Sequence, residues 1–311
     1  MHSFHGRFAD TQFERASKAK GDFMNVDQAT LNRQSSRSAD GVSQKIYEHI
    51  TVTPMRGALG ARVAGLDLKA VNAGPNAAAI VAELHDAWTD HLVLVFPQIN
   101  LTPAQQVMLA GKFGSNLAAT TETGADYRNA ASLADEGFKE LLLITTDAKR
   151  STNVWHTDVT FVETPPIGSL FCMETPAAGG GGDTMWANQY ETYEALSAPI
   201  KEMISTLSAV HGRPPITGTS VHPVVKMHPV SGRTYLNVNR GWTNAIRHLS
   251  AIEAKHVLEM LVAVSERPEY QVRWQWTAGD AVLWDNRCTM HYAVDDYGTQ
   301  FRRARRATIY A

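Results

Sequence analysis

The sequence predicts a mainly β protein, a β-sandwich or jelly roll with helices set around it. Three observations carry that expectation. After Trp155, short β-prone runs recur with turn signals between them: IGSLFCME, HPVVKMH, RTYLNV, QVRWQW, AVLWD and RRATIYA. Helical patterns are set apart from these strands as two insertions, at 189–207 and 250–265. Hydrophobic residues make up 44% of the 311-residue chain, ample for one large core.

Residues 1–48 are polar and mixed in charge (LNRQSSRSADGVSQK) and bring too little apolar surface to offset the entropy of ordering them. They are expected to form a flexible or partner-wrapped arm ahead of a single domain at 49–311. The β-prone run at 50–53 opens that domain, and GALGARVAGLDL (57–68) reads as a turn feeding a strand. Its glycines lack the spacing and the strand–loop–helix setting of a dinucleotide loop. Residues 76–91 predict an amphipathic helix, with Ile80, Leu84 and Trp88 four apart on one face. LVLVF (92–96) has the continuous apolar character of a buried strand. Thr102 is placed to cap a further helix ending near Gly114, with Pro103 at its first position and Gln105 completing a capping box. Residues 115–152 are loop-rich apart from a strand at 141–144. GGGGDT (179–184) is expected to be a hairpin turn, because no lysine follows and no helix opens, so it cannot be a phosphate-binding loop. Thr184 is then free to offer its hydroxyl.

Charge excludes some classes of function. Lys and Arg total 29 against 31 Asp and Glu, a net charge of −2. No global positive field draws the chain to nucleic acid or anionic membrane. Two cysteines, Cys172 and Cys288, supply no disulfide framework and point to a reducing compartment. The first residues, MHSFHGRFADTQFE, lack a secretory hydrophobic stretch, and Asp10, Glu14, Asp22 and Asp27 argue against a transit peptide. A cytoplasmic location is expected.

The chemistry concentrates in two places. In Trp155-His156-Thr157-Asp158, a strand conformation would send His156 and Asp158 out of the same face. A histidine and a carboxylate so placed are two-thirds of a 2-His-1-carboxylate site, which leaves open positions on iron. His-x-Asp alone is a weak pattern, more often a surface hydrogen bond. His291, after the β-like WDNRCTM, is the candidate third ligand. The second place is Arg302, Arg303, Arg305 and Arg306, which run straight into ATIYA. As a strand, Arg302 and Arg306 share a face with Ala304, while Arg303 and Arg305 point the other way. Arginines aimed into a cavity anchor anions, since the guanidinium fork matches carboxylate and sulfonate oxygens; a solvated basic cluster is the alternative.

Taken together, WHTDVTFVETPP, GGDTMWAN, YEALS, HPVVKMHPVSGR, VRWQW, WDNRCTMHYAVDDY and RRATI resemble the Fe(II)/2-oxoglutarate-dependent dioxygenases of the taurine dioxygenase (TauD/TfdA) family. That group also includes alkylsulfatases and phenoxyalkanoate dioxygenases. The resemblance spans most of 50–311 and implies a double-stranded β-helix. It implies His156, Asp158 and His291 as catalytic iron ligands, with Arg302 binding the distal carboxylate of 2-oxoglutarate and Thr184 assisting. It further implies Arg306 as the anchor of the substrate's anion, and Val159 and Trp242 as pocket lining. With Fe(II), 2-oxoglutarate and O2, the implied reaction hydroxylates a small organic anion and releases succinate and CO2. A sulfonate or sulfate ester hydroxylated next to its head group would collapse to an aldehyde and an inorganic sulfur anion.

The chain also departs from the family. Taurine dioxygenases carry a His-Pro-Val-Tyr-like segment after the Phe-Gly matched by Phe113-Gly114, and here the text is SNLAATTE (115–122). Ala119 and Glu122 stand where polar substrate contacts are expected, so taurine is expected to be poor and a larger, more apolar anion better. A carboxylate substrate such as an aryloxyalkanoate is the alternative within the same chemistry. A zinc hydrolase using the same three ligands is the alternative from another class. If no anion is bound, Arg306 is expected to pair with a nearby acid such as Asp295. The expected partners are a small anionic molecule and a second copy of the chain, with no nucleic acid and no membrane.

Overall fold

The computed structural model describes residues 45–118, 137–146, 153–212 and 218–311. Most of the expected N-terminal arm, together with Ala119 and Glu122, lies outside the described residues.

The first half builds a sheet edge and its helical cover. β1 (Thr51–Pro54) and β2 (Ala61–Ala64) form an antiparallel pair. The short α1 (Leu68–Ala73), unforeseen in the sequence, starts where the Asp67 carboxylate accepts the N–H groups of Lys69 and Ala70. α2 (Ala77–His91) buries Ile80, Leu84, Ala87 and Trp88 on one face. Residues 45–48, assigned to the arm on composition, belong to this body. Lys45 pairs with Asp86, and Glu83 accepts the backbone N–H of Glu48 at 2.8 Å. β3 (Val93–Phe96) follows, then α3 (Pro103–Ala110) with the Thr102–Gln105 capping box in place. β4 (Asn116–Ala118) and β5 (Leu141–Thr145) complete this half.

The second half supplies β6 (Gly168–Thr175) and β7 (Thr184–Asn188), then α4 (Gln189–Glu194) and α5 (Ala198–Ile204). The single insertion expected at 189–207 is two helices because the chain is extended at Ser197 and restarts with proline in the first turn. β8 (Ser208–His211), β9 (Ser220–Pro223), β10 (Val225–Met227), β11 (Thr234–Leu236) and β12 (Thr243–Ile246) follow. α6 (Ala251–Ser265), capped by Ser250, precedes β13 (Gln271–Trp274), β14 (Ala281–Asp285), β15 (Thr289–Ala293) and β16 (Arg303–Tyr310).

The strands form a large sheet, β1-β2-β3-β14-β6-β16-β4 with β5 also on β16, and a facing sheet β13-β7-β15. The large sheet is covered on both sides, and its alternation shows where each cover lies. Val93, Val95, Val282, Trp284, Met173 and Ala304 point to the facing sheet and pack with Trp186, Val272 and Trp274. Leu94, Phe96, Leu283, Leu170, Ala307 and Ile309 point to the other side, against Val71, Leu84, Trp88 and Leu109 of the helices. Burial on both faces is why β3 and β14 are continuous apolar runs rather than alternating ones. This is a jelly roll with helices along one flank.

Two connections differ from expectation. The glycine run 179–182 is no hairpin: it carries the chain from β6 in the large sheet to β7 in the facing one. Gly180, Gly181 and Gly182 have φ of +84°, +84° and +69°, a succession that glycine alone tolerates. WHTD is no strand either; His156 alone makes a bridge, to His291, and the chain then turns.

The fit of flank to sheet is tight at Gly168, where a Cβ would lie 2.7 Å from the Trp88 ring and 2.9 Å from the Trp284 carbonyl oxygen. Gly168→Ala should destabilise the fold by about 1–3 kcal/mol, since one contact is backbone and cannot rotate away. Thermal unfolding that matches wild type would show that α2 rides loosely on the sheet.

Candidate metal centre

Three chain segments meet between the two sheets. The backbone of His156 bonds to that of His291 on β15, N to O at 3.0 Å and back at 2.7 Å. That bridge sets the two imidazoles side by side, ring centroids 4.1 Å apart. Register places His291 opposite Trp186 of β7, and Trp284 lies 5.0 Å away on the large sheet, so the site has aromatic walls. The turn after His156 brings Asp158 Oδ1 to 3.8 Å from both His156 Nε2 and His291 Nε2. His156, Asp158 and His291 therefore converge although WHTD is not extended.

The donor set suits a metal. His156 Nδ1 lies 2.8 Å from the Val154 carbonyl oxygen, which can only accept, so Nδ1 holds the hydrogen and Nε2 keeps its lone pair toward Asp158. All three side chains are buried, and their donor atoms lie within 4.8 Å of one another. Two nitrogens and one carboxylate oxygen on one side of a point are the ligands of a site with open positions.

Electrostatics keep the donors in ligating form. Burial would raise the Asp158 carboxyl, but the Arg306 guanidinium, then His291, His156 and the Ser169 hydroxyl, outweigh it and hold it at about 2. Burial, reinforced by His156, pushes His291 down to about 3 against the pull of Asp158. His156 is lowered too, by burial, against Asp158 and the Val154 carbonyl.

The arginine cluster splits across β16. Arg303 and Arg305 both pair with Glu174, and Arg305 Nη2 donates to the Leu101 carbonyl at 2.6 Å, toward the helical flank. Arg306 points the other way, and its Nη1 donates to Asp158 Oδ1 at 2.9 Å. The acid on Arg306 is thus Asp158 and not Asp295, whose Oδ2 faces the Asn153 amide instead at 3.5 Å. Arg302 lies with its guanidinium 5.0 Å over the Tyr297 ring, and its Cδ and Cζ would be 3.2 Å from a Cβ on Gly182. Glycine there opens room for the arginine stem. Thr184, two residues on, accepts the Trp276 indole N–H at 3.0 Å, and no hydrogen bond joins it to Arg302.

Val159 is buried at φ +57°, a conformation that strains a β-branched residue by about 1–3 kcal/mol. It packs with Phe161, Val162 and Trp242. The turn is pinned from β8 and β9: His211 Nδ1 lies 2.9 Å from Thr160 Oγ1, and His222 Nε2 donates to the Thr160 and Val162 carbonyls at 2.9 and 3.0 Å. Asn239 accepts the Trp242 N–H at 2.8 Å. Sequence reasoning missed His211, His222 and Asn239, because nothing in a lone histidine's neighbours says which distant turn it will meet.

A second buried group, His228, Asp285 and Cys288, has donor atoms equally close. It is filled from within. His228 Nδ1 accepts the N–H groups of Val230 and Ser231, so Nε2 carries the hydrogen and gives it to Asp285 at 3.0 Å. Asp285 also takes the Arg287 side chain. No histidine lone pair is left for an ion.

Comparison with known proteins gives one family. The model of the "Taurine catabolism dioxygenase TauD, TfdA family" matches residues 51–308. An alpha-ketoglutarate-dependent sulfate ester dioxygenase of Pseudomonas putida is 34% identical, over 84% of this chain and 89% of its own. An alkylsulfatase of Acinetobacter baylyi is 32% identical, over 86% of each. The crystal structure of a taurine dioxygenase from Burkholderia xenovorans superposes with a TM-score of 0.73 at 31% identity, over 84% of this chain and 89% of that one.

Burial holds the His211 imidazole, next to His222 and Lys226, down to about 3. The folded state refuses a proton that the unfolded chain takes up near pH 6.5, so stability is full above that pH and falls as pH drops toward 3. His211→Gln should remove about one proton from this dependence, about 1.4 kcal/mol per pH unit between pH 6 and 4. Denaturant midpoints across that range measure it; parallel curves for wild type and variant would refute a neutral buried His211.

Proposed function

The chain belongs to the TauD, TfdA family and is a 2-oxoglutarate-dependent dioxygenase, and from that premise we propose that it acts on a sulfate ester or sulfonate with an apolar organic body. One observation carries the substrate reading: a buried guanidinium, Arg306, lies beside Asp158, the residue that leads into the apolar group of Val159, Phe161 and Trp242. A buried cation held on the residue that precedes this apolar group suits an anionic head on a hydrophobic body. The relatives named for sulfate esters and alkyl sulfates support that class over an aryloxyalkanoate.

His156, Asp158 and His291 would hold Fe(II). Bound there with 2-oxoglutarate, the metal supplies the O2-dependent oxidation that yields succinate and CO2 and hydroxylates the substrate. The protein's share is placement and the exclusion of water. The His156 Nδ1–Val154 bond keeps one lone pair aimed at the centre, and Arg306 keeps Asp158 ionised. Arg302, cushioned on Tyr297 above Gly182, would take the distal carboxylate of 2-oxoglutarate, with the Thr184 hydroxyl nearby in sequence to assist. Arg306 would turn part of its fork from Asp158 to the substrate's anion, while Val159 and Trp242 meet its organic body. Among the described residues no helix is long and apolar enough to cross a membrane.

Arg302→Ala should raise the KM for 2-oxoglutarate by the equivalent of about 2–5 kcal/mol, because a charge-assisted pair to a carboxylate is lost. Arg303→Ala, on the Glu174 side of β16, should change it little. Equal effects at both positions would reject this assignment of the cosubstrate anchor.

Succinate release tests the substrate class. Longer alkyl sulfates and sulfonates should be turned over in preference to taurine, and Arg306→Ala should abolish that turnover. A preference for taurine, or alkyl sulfate turnover indifferent to Arg306, would overturn the proposal.

A further inference from the structure

Asp158 is held by its backbone as well as its carboxylate, and one side chain does the holding. Asn286 is 1% exposed and sits in the turn between β14 and β15, five residues before His291. Its Oδ1 accepts the Asp158 N–H at 2.8 Å, and its Nδ2 donates to the Asp158 carbonyl at 3.0 Å. The same Nδ2 donates to the Pro166 carbonyl at 3.0 Å, and the Asn286 backbone N–H donates to Ile167 at 3.0 Å. One amide thus reads both peptide groups of Asp158 and ties them to the start of β6.

We propose that Asn286 is a positioning residue for the metal centre, setting the distance between Asp158 and His291 by clamping the Asp158 backbone to the turn that leads into β15. The inference rests on Asp158 and His291 being metal ligands, as proposed above. Outside the His156–His291 bridge, the WHTD turn has no strand pairing to fix it. The next residue, Val159, is in a conformation from which it would relax, and relaxation there would swing Asp158. Only a carboxamide answers all three groups: an aspartate loses both donated bonds and adds a charge beside Asp158, a serine keeps one bond at most, and an alanine leaves two buried peptide groups of Asp158 unpaired.

Metal-free enzyme titrated anaerobically with Mn(II), without 2-oxoglutarate, gives a readout independent of turnover. Asn286→Ala should weaken Mn(II) binding about ten- to a hundredfold, as loss of a partner that orients a ligand does, and Asn286→Ser should weaken it less. Asn188→Ala is the comparison, a buried asparagine that caps α4 and bonds Ala58 but touches no ligand. It should lower the melting temperature of the metal-free protein while leaving the Mn(II) dissociation constant unchanged. Should Asn286→Ala fail to fold, Asn286→Ser carries the test. Wild-type affinity in the folded Asn286 variants, or a loss in Asn188→Ala as large as in Asn286→Ala, overturns the clamp. Asp158→Ala separates the premise: undiminished Mn(II) binding there would reject the ligand assignment itself, whereas lost binding there with intact Asn286 variants would reject the clamp alone.

Discussion

A carboxylate removed from water must be compensated on every side, and Asp158 is the point on which this protein spends that compensation. Leaving such a charge uncompensated would cost several kcal/mol or force the group to take up a proton. Here Arg306 donates to one carboxylate oxygen and Ser169, at 3.3 Å, to the other, while the Nε2 atoms of two imidazoles face the first at 3.8 Å. The result is an ionised carboxylate whose Oδ1 faces two imidazole nitrogens, a donor set that suits a cation.

Each compensating group comes from a different part of the chain. Arg306 is on β16, Ser169 on β6, His291 on β15 and Asn286 in the turn between the sheets. The site therefore requires the jelly roll to be closed, because Arg306, Ser169 and the Asn286–His291 segment reach Asp158 from three separate strands or turns. The helical flank takes part indirectly. By burying Leu94, Leu283 and Ile309 on the far side, it fixes which residues of β3, β14 and β16 point inward. A slip of one residue in β16 would exchange Arg306 for Arg305 and send the Glu174 partner to the metal centre.

The same turn carries Asp158 and the apolar group that begins at Val159. Val159 follows Asp158 directly, so the strain that points it into the apolar group is sustained by the network that holds Asp158. His211, His222 and Asn239 grip the turn from β8, β9 and the loop before β12. Asp158 and the apolar group of Val159, Phe161 and Trp242 are consequently two faces of one tightly held turn, which leaves little freedom to change one without moving the other.

Much of this was legible in the residues. The capping box at Thr102, the helix carrying Ile80, Leu84 and Trp88, and the strand AVLWD depend on neighbours within a few positions, so local pattern determines them. His156, Asp158 and His291 as one group, and Arg305 and Arg306 on opposite faces of a strand, were legible as well, because residue type and period restrict what they can do. The glycine run reads as a hairpin because a turn and a crossover need the same φ values, and only strand pairing tells them apart. WHTD is ambiguous for a similar reason: a strand would put His156 and Asp158 on one face, but a bridge and a strained turn bring them together instead. What tertiary structure alone decided is the set of groups that make the site work, Asn286 on the Asp158 backbone, Arg306 on Asp158 in place of Asp295, and His211 under Thr160. Sequence separation there exceeds fifty residues in every case, and such contacts exist only once two buried sheets have fixed which polar groups must satisfy one another.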